Sequence, residues 1–471
     1  MLCNVTVSIV LQNPTITRLA STILSLKPPK LPADDALNIF TNESIHRIKT
    51  CLGERTTKLV KILPCTPLQE AMLSASHSND SGVYCNLMEF KIHASATKIK
   101  QCWDLVVKRQ EILRTCFVAT EQADFPFAQV VLSRHDGYWR EVSTESEETD
   151  CLSYEEQSNQ RIMSYLNAIE PPYDLTLIKS SGNTTLTFAS HHALYDGSAM
   201  AELLLEVEQL YNGIELPTPV PYGPFINMAV NMRSDHALDF WCTKLNGFQP
   251  QFLRPSASRR QISTTHKLVH SLRDIEAAAM SHHVSLLALL QAAWTKLLHS
   301  MFDTDDICFG NIFSGRTLPL ENLHKLIAPT FNTLPIYIDL SRCKTNSALL
   351  SYLQNLNNDA LDFQLVPLRA IQNRLHMSGT GLFLTLFLLQ HSPHELDTQI
   401  WTLEKDLGNM NVSLASDSFT GDQARRTLLT LLQFPIILEL IPNKSHDTLY
   451  LNLHFEEYVI TIWKEIWNIK V

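Results

Sequence analysis

The chain has 471 residues, of which 45% are hydrophobic and 18% charged, and a formal net charge of −10. That is a globular composition, with length for one large domain or two smaller ones. No lysine or arginine run stands out, which excludes a phosphate-binding nucleic-acid surface, and the ten scattered cysteines form no CxxC pair, which excludes a zinc ribbon or a redox motif.

The N-terminus "MLCNVTVSIVLQNP" is apolar but has no basic flank, so no signal peptide is read. Residues 1–55 carry one or two helical segments around a Pro-rich break and are too short to hold a core of their own. A helix-to-strand unit follows near residue 115, then an irregular stretch, "TEQADFPFAQ". The Pro-rich "LPTPVPYGPF" (216–225) reads as a connector between two halves of similar size. Beyond it, "ALDFWCTKL" and "SHHVSLLALLQAAWTKLLHSM" have helical spacing, "DICFGNIFSG" and "NTLPIYIDL" read as strands, and "ALLSYLQNLNNDALDF" returns to helix. "GLFLTLFLLQ" and "LLTLLQFPIILELI" fall short of a membrane span and read as buried strand or core helix. "FPIILELIP" and "TLYLNLHFE" close the chain as strands, so the class is mixed α/β, with no membrane partner expected. Free thiols fit a reducing, cytoplasmic compartment.

One junction carries chemistry. In "TLTFASHHALYDGSAMAELLLEVEQLYNG", Leu186 and Phe188 alternate as in a half-buried strand, and Met200, Leu203, Leu204, Val207, Leu210 and Tyr211 form one apolar helical face. Ser198 reads as the N-cap and Asn212-Gly213 as the stop. Gly197 permits a sharp turn or a close backbone approach. His191 and His192 thus stand at a strand end and Asp196 at a helix entry, where an imidazole is held yet reachable. Asp196 either orients an imidazole or pairs with an arginine. The plainer alternative is two loop histidines beside a capping aspartate.

Other segments decide between these. "PCTPLQEAML" (64–73), "KRQEILRTCF" (108–117), "HHALYDG", "DFW" (239–241), "GNIFSGRTLP" (310–319), "APTFNTLP" (328–335) and "LFLTLFLLQ" occur in the order of matching segments in one family. Across residues 60 to 460 the chain resembles the condensation domain of nonribosomal peptide synthetases, in a fungal flavour that hints at siderophore synthetases. The resemblance implies two chloramphenicol-acetyltransferase-like lobes forming a V-shaped pseudo-dimer with a central tunnel, the N-terminal lobe at 56–225 and the C-terminal lobe at 226–471. It implies amide bond formation between a carrier-bound acyl thioester and an acceptor amine. No cofactor is bound directly, since substrates ride on the phosphopantetheine of carrier domains. The partners are peptidyl carrier and adenylation domains, in cis or in trans.

The resemblance places His192 at the reaction centre, either as general base or as the group that positions the amine and stabilises the intermediate. It makes His191 structural and lets Gly197 lend its backbone N–H. Asp196 turns from the substrate toward an ion-pair partner, for which Arg316 is the candidate. Asn332 either lines the tunnel or caps a turn. Three departures stand out. Leu384 replaces an aspartate of the family pattern. Residues 411–433 match nothing in it. The leader faintly resembles a carrier-domain remnant, with Ser44 at the attachment position but without the preceding Leu-Gly. A decayed or truncated fragment that only docks carriers is therefore the second hypothesis.

Other chemistries lack their motifs. There is no GxSxG of a serine hydrolase, no GxxxxGK[ST] of an ATP site and no DFGWG of plant-type acyltransferases. His266 and His270 of "HKLVH", and the pair His282-His283, read as structural or surface residues, and no metal site is expected.

Overall fold

Strand β7 (Asn183–His191) owes its extended form to a run of threonines and Phe188, and it is buried along its last six residues. It lies at the centre of a five-stranded sheet in the computed structural model, which describes residues 39–78, 84–135, 139–143, 151–180, 182–250, 261–377, 381–390, 396–407 and 434–456. β7 pairs antiparallel with β2 (Cys85–Ile92) and with β6 (Tyr173–Ser180), and β5 (Trp139–Ser143) runs parallel to β6 at one edge. The other edge is β12 (Trp401–Leu407), which arrives from the far end of the chain and pairs antiparallel with β2.

Beside this sheet, β1 (Leu59–Pro64), β4 (Phe127–Leu132) and β3 (Thr115–Ala119) form a three-stranded sheet. Helix α1 (Asn42–Leu52) covers it, and Ile48 and Leu52 share a core with Cys116, Val118 and Val130. The described part of the leader is therefore built into this sheet's packing. Ser44, in the first turn of α1, is 5% exposed, and its Oγ accepts a hydrogen bond from the Thr41 hydroxyl. Helix α2 (Pro67–Ser78) follows β1. Helix α3 (Ala96–Arg109) starts where Ser95 accepts from Lys98 N–H, and it buries Ile99, Cys102, Trp103, Val106 and Val107 on one face. With α4 (Cys151–Asn167) and α5 (Gly197–Tyr211) it packs on the five-stranded sheet, bringing Trp103 and Phe188 to a ring separation of 5.1 Å.

Past residue 216 the chain runs through α6 (Gly223–Asn231), whose Phe225, Ile226 and Ala229 still belong to the first core. A second core begins with α7 (Asp235–Lys244). Its sheet has the order β10-β9-β11-β13-β14-β8, formed by β8 (Gln261–Lys267), β9 (Asp306–Phe313), β10 (Asn332–Asp339), β11 (Thr385–Leu389), β13 (Ile436–Asn443) and β14 (Thr448–Glu456). Helices α8 (Leu272–Ser281), α9 (Leu286–Phe302), α10 (Asn346–Ala360) and α11 (Leu368–Arg374) complete this half. "GLFLTLFLLQ" resolves into the strand β11, parallel to both β9 and β13.

The two halves are not consecutive in their packing. Leu318, Leu323, Leu326, Ile327 and Ala328, between β9 and β10, enter the first core. The Tyr222 hydroxyl donates to the Pro329 carbonyl at 2.6 Å. Trp401 of β12 is fully buried in the first core, and its indole N–H donates to Glu208 of α5 at 2.7 Å. Residues 411–433 lie outside the described residues. Among the described residues no helix is long and apolar enough to cross a membrane.

Candidate active site at the seam

The two adjacent imidazoles have opposite fates. His191 is fully buried. Its Nδ1 accepts from Ala193 N–H at 3.1 Å, so in the neutral ring Nε2 carries the proton and donates to Ser76 Oγ at 2.9 Å. Both nitrogens are spent inside the first half. Burial pushes its pKa down to about 3, with His192 and His77 adding repulsion.

His192 is half-buried. Its Nδ1 lies 2.9 Å from the Tyr195 carbonyl oxygen, which can only accept. Nδ1 therefore carries the proton, and Nε2 is left with its lone pair. Desolvation lowers the His192 pKa, opposed by the Tyr195 carbonyl and by the charge of Asp196. The ring is steadied between Tyr195 and Phe331, with centroids at 4.8 and 5.4 Å. Tyr195 in turn is hydrogen-bonded to Asn86, and the turn is pinned from α2 by Gln69 Nε2, which donates to the Ala193 carbonyl at 2.8 Å.

The helix entry differs from the sequence expectation. Asp196, not Ser198, is the N-cap of α5, because its Oδ1 accepts from Ala199 N–H at 2.7 Å. The same Oδ1 accepts from Arg316 Nη2 at 2.8 Å, while Oδ2 accepts from Thr330 N–H at 2.9 Å and the Thr330 hydroxyl at 3.0 Å. Three N–H donors and the Thr330 hydroxyl, whose single proton is shared with the Ser314 carbonyl at 2.6 Å, surround one carboxylate, and three of these four groups come from the chain between β9 and β10. Arg316 also donates to the carbonyls of Leu323, Leu326 and Ala328. The two charged side chains are 8% and 9% exposed. Gly315 makes the approach possible: its φ is +71°, and a Cβ there would collide with the Thr330 carbonyl oxygen.

Gly197 opens α5, so its N–H belongs to the first-turn donors that an α-helix does not use internally. A Cβ at this position would lie 3.9 Å from Oε1 of Gln390, across the seam. Asn332 is elsewhere: it is 3% exposed, and its amide donates to the carbonyls of Gln364 and Val366, fastening that segment to β10. Both amide hydrogens are committed to carbonyls of the turn that follows α10. Leu384 is half-buried and lines a small cavity with Phe248, Leu298, Phe302, Ile307, Phe383 and Thr385.

The sequence segments contain but do not reveal two further features. Thr330 lies within "APTFNTLP", and Glu439 is the one acidic residue in the apolar "FPIILELIP". Glu439 is fully buried, accepting from Gln390 Nε2 at 2.8 Å and Asn452 Nδ2 at 3.0 Å. Among the described residues no group of three or more His, Cys, Asp or Glu side chains could hold a metal ion.

A family model described as "Condensation domain" matches residues 60–425. Nonribosomal peptide synthetase 2 of Cochliobolus heterostrophus is 35% identical across 97% of this chain, which covers 8% of that relative. The hydroxamate-type ferrichrome siderophore peptide synthetase of Schizosaccharomyces pombe is 25% identical across 88% of this chain, which again covers 8% of it. The chain thus spans less than a tenth of the length of these curated relatives. Among solved structures, the condensation domain from the Monacolin K polyketide synthase MokA aligns with a TM-score of 0.65 at 16% identity, covering 87% of this chain and 96% of that one.

Proposed function

Because the chain belongs to the condensation-domain family, with its two chloramphenicol-acetyltransferase-like lobes, we propose that it joins a carrier-bound acyl thioester to an acceptor amine, with His192 at the reaction centre. One observation carries the reading. The Tyr195 carbonyl holds the His192 Nδ1 proton, so Nε2 is a desolvated acceptor that stays neutral near pH 7.

The amine nitrogen attacks the thioester carbonyl carbon, and the carbonyl π pair moves to oxygen. His192 Nε2 takes or holds the proton that the nitrogen sheds, and the Gly197 N–H donates toward the oxyanion. Collapse expels the pantetheine thiolate, which regains a proton, leaving an amide and a free thiol. Asp196 and Arg316 do not touch the reacting atoms in this reading. They hold the turn that presents His192.

The lobes of this reading are residues 56–225 and 226–471. Their partners are peptidyl carrier and adenylation domains of a larger synthetase. A siderophore-type product is supported by the ferrichrome synthetase among the relatives. A cytoplasmic location is supported by eight cysteines that stand as free thiols.

The test is single-turnover condensation of an acyl-pantetheine thioester with an amine. His192→Ala is expected to keep the wild-type melting temperature and lose about 100- to 10,000-fold in rate. Undiminished condensation by that variant would sink the catalytic assignment.

A further inference from the structure

We propose that Gln390 is the second-lobe residue that accepts an N–H hydrogen bond from the substrate at the reaction centre, aimed for that task by the buried carboxylate of Glu439. The proposal rests on the condensation reading above.

The argument begins in β13. Ile436, Leu438 and Leu440 point into the helix-packed core, so by strand alternation Glu439 points to the opposite face. There it stands opposite Asn452 of β14. Its carboxylate is completely buried, and among the described residues no cation lies within hydrogen-bonding distance of it. The nearest basic group among the described residues, His454 Nε2, is 3.9 Å away, while its Nδ1 bonds Ser263. A carboxylate only accepts. The group of Gln390 that meets it at 2.8 Å must therefore be the NH2. This fixes the amide orientation and turns Oε1 away from Glu439, toward Gly197.

Gln390 is held by its backbone too, its N–H donating to the Leu440 carbonyl at 2.8 Å, and its side chain remains half-buried. An acceptor with fixed direction thus faces the end of α5 that begins five residues after His192. A neutral glutamine amide could otherwise present either end. Glu439 removes that ambiguity, and this gives a charged residue a reason to occupy an otherwise apolar strand.

The complementary ligand chemistry is an N–H. A condensation supplies two: the attacking amine and the amides of the pantetheine arm. If the amine is the donor, bonds from its two hydrogens to His192 Nε2 and Gln390 Oε1 leave its lone pair directed at the thioester.

The experiment measures kcat and KM for each substrate in the wild-type chain, Gln390→Leu, Glu439→Gln and His192→Ala, with melting temperatures as a control on folding. Donors are an acyl-pantetheine and an acyl thioester of a plain alkyl thiol, which lacks the arm's amides. Gln390→Leu is expected to raise one KM about tenfold, the effect of one lost hydrogen bond. Glu439→Gln, which lets the Gln390 amide reverse, is expected to raise the same KM about two- to threefold by the same reasoning. A raised amine KM with both donors identifies the amine. A raised donor KM with the pantetheine substrate alone identifies the arm.

Wild-type kinetics in a folded Gln390→Leu, with His192→Ala impaired, overturns this proposal and leaves the reaction standing. A folded His192→Ala that is as fast as wild type, or no turnover by the wild-type chain, overturns the underlying reading and this proposal with it.

Discussion

Two buried carboxylates face each other's territory across the seam, and they are treated differently. Asp196 receives three N–H donors, one of them the Arg316 guanidinium and another the Ala199 N–H by which it caps α5, and shares the Thr330 hydroxyl proton with Ser314. Glu439 receives two amide donors and, among the described residues, no guanidinium or ammonium, its nearest basic group being His454 at 3.9 Å. The first is a balanced charge whose partners come from distant stretches of chain, which is the arrangement of a fastener. The second is a charge kept with little compensation inside a sheet, an arrangement that costs stability and has to be explained by what it orients.

The sharpest way to break this comparison is to remove Asp196. Asp196→Ala leaves Arg316 buried without its counter-ion and Thr330 N–H without an acceptor, and is expected to cost about 3–5 kcal/mol and most of the soluble yield. Denaturant melts check it, and a cost below about 1 kcal/mol, typical of exposed pairs, would deny the pair its fastening role.

Acid probes the same side by another route. His191 has a folded-state pKa of about 3 against an ordinary 6.5, so the unfolded chain takes up the proton first as pH falls. Its contribution is constant above about pH 6.5 and is lost toward pH 3, with a slope of up to about 1.4 kcal/mol per unit. Melts at pH 7 and pH 5 should show this loss in the wild type and a smaller one in His191→Gln.

The smallest expected effect sharpens the contrast. Glu439→Gln preserves shape, keeps an acceptor for Gln390 and removes a buried charge that no guanidinium or ammonium among the described residues balances. Its stability should lie within about 1 kcal/mol of wild type or above it. A loss as large as that of Asp196→Ala would make Glu439 a fastener too.

What the sequence disclosed follows from range. Strands such as "NTLPIYIDL" and helices such as "SLLALLQAAWTKLLHSM" show themselves because their burial pattern is local. β12 does not: "WTLEKDL" is a short polar alternation whose partner, β2, lies some three hundred residues earlier. The cap of α5 is ambiguous in sequence because Ser198 and Asp196 are both good capping residues, and only geometry shows which carboxyl or hydroxyl reaches the Ala199 N–H. At the site, the chemistry of His192 is visible in residue type and order. The tautomer that frees its Nε2 depends on where the Tyr195 carbonyl points. Thr330, Gln390 and Glu439 sit in segments whose apolar pattern marks strand and says nothing of cross-strand partners.

The late arrival of β12 has a consequence for synthesis on the ribosome. When residue 225 has been made, four strands of the five-stranded sheet exist and β2 stands as an open edge. That edge stays unpaired until Trp401–Leu407 emerges, and Glu208 waits as long for the Trp401 indole. The nascent first half therefore passes through a stage with an exposed strand, the form most prone to pairing with another chain. Expression of the first half alone should yield this species permanently. Supplying the second half as a separate polypeptide offers it the missing strand.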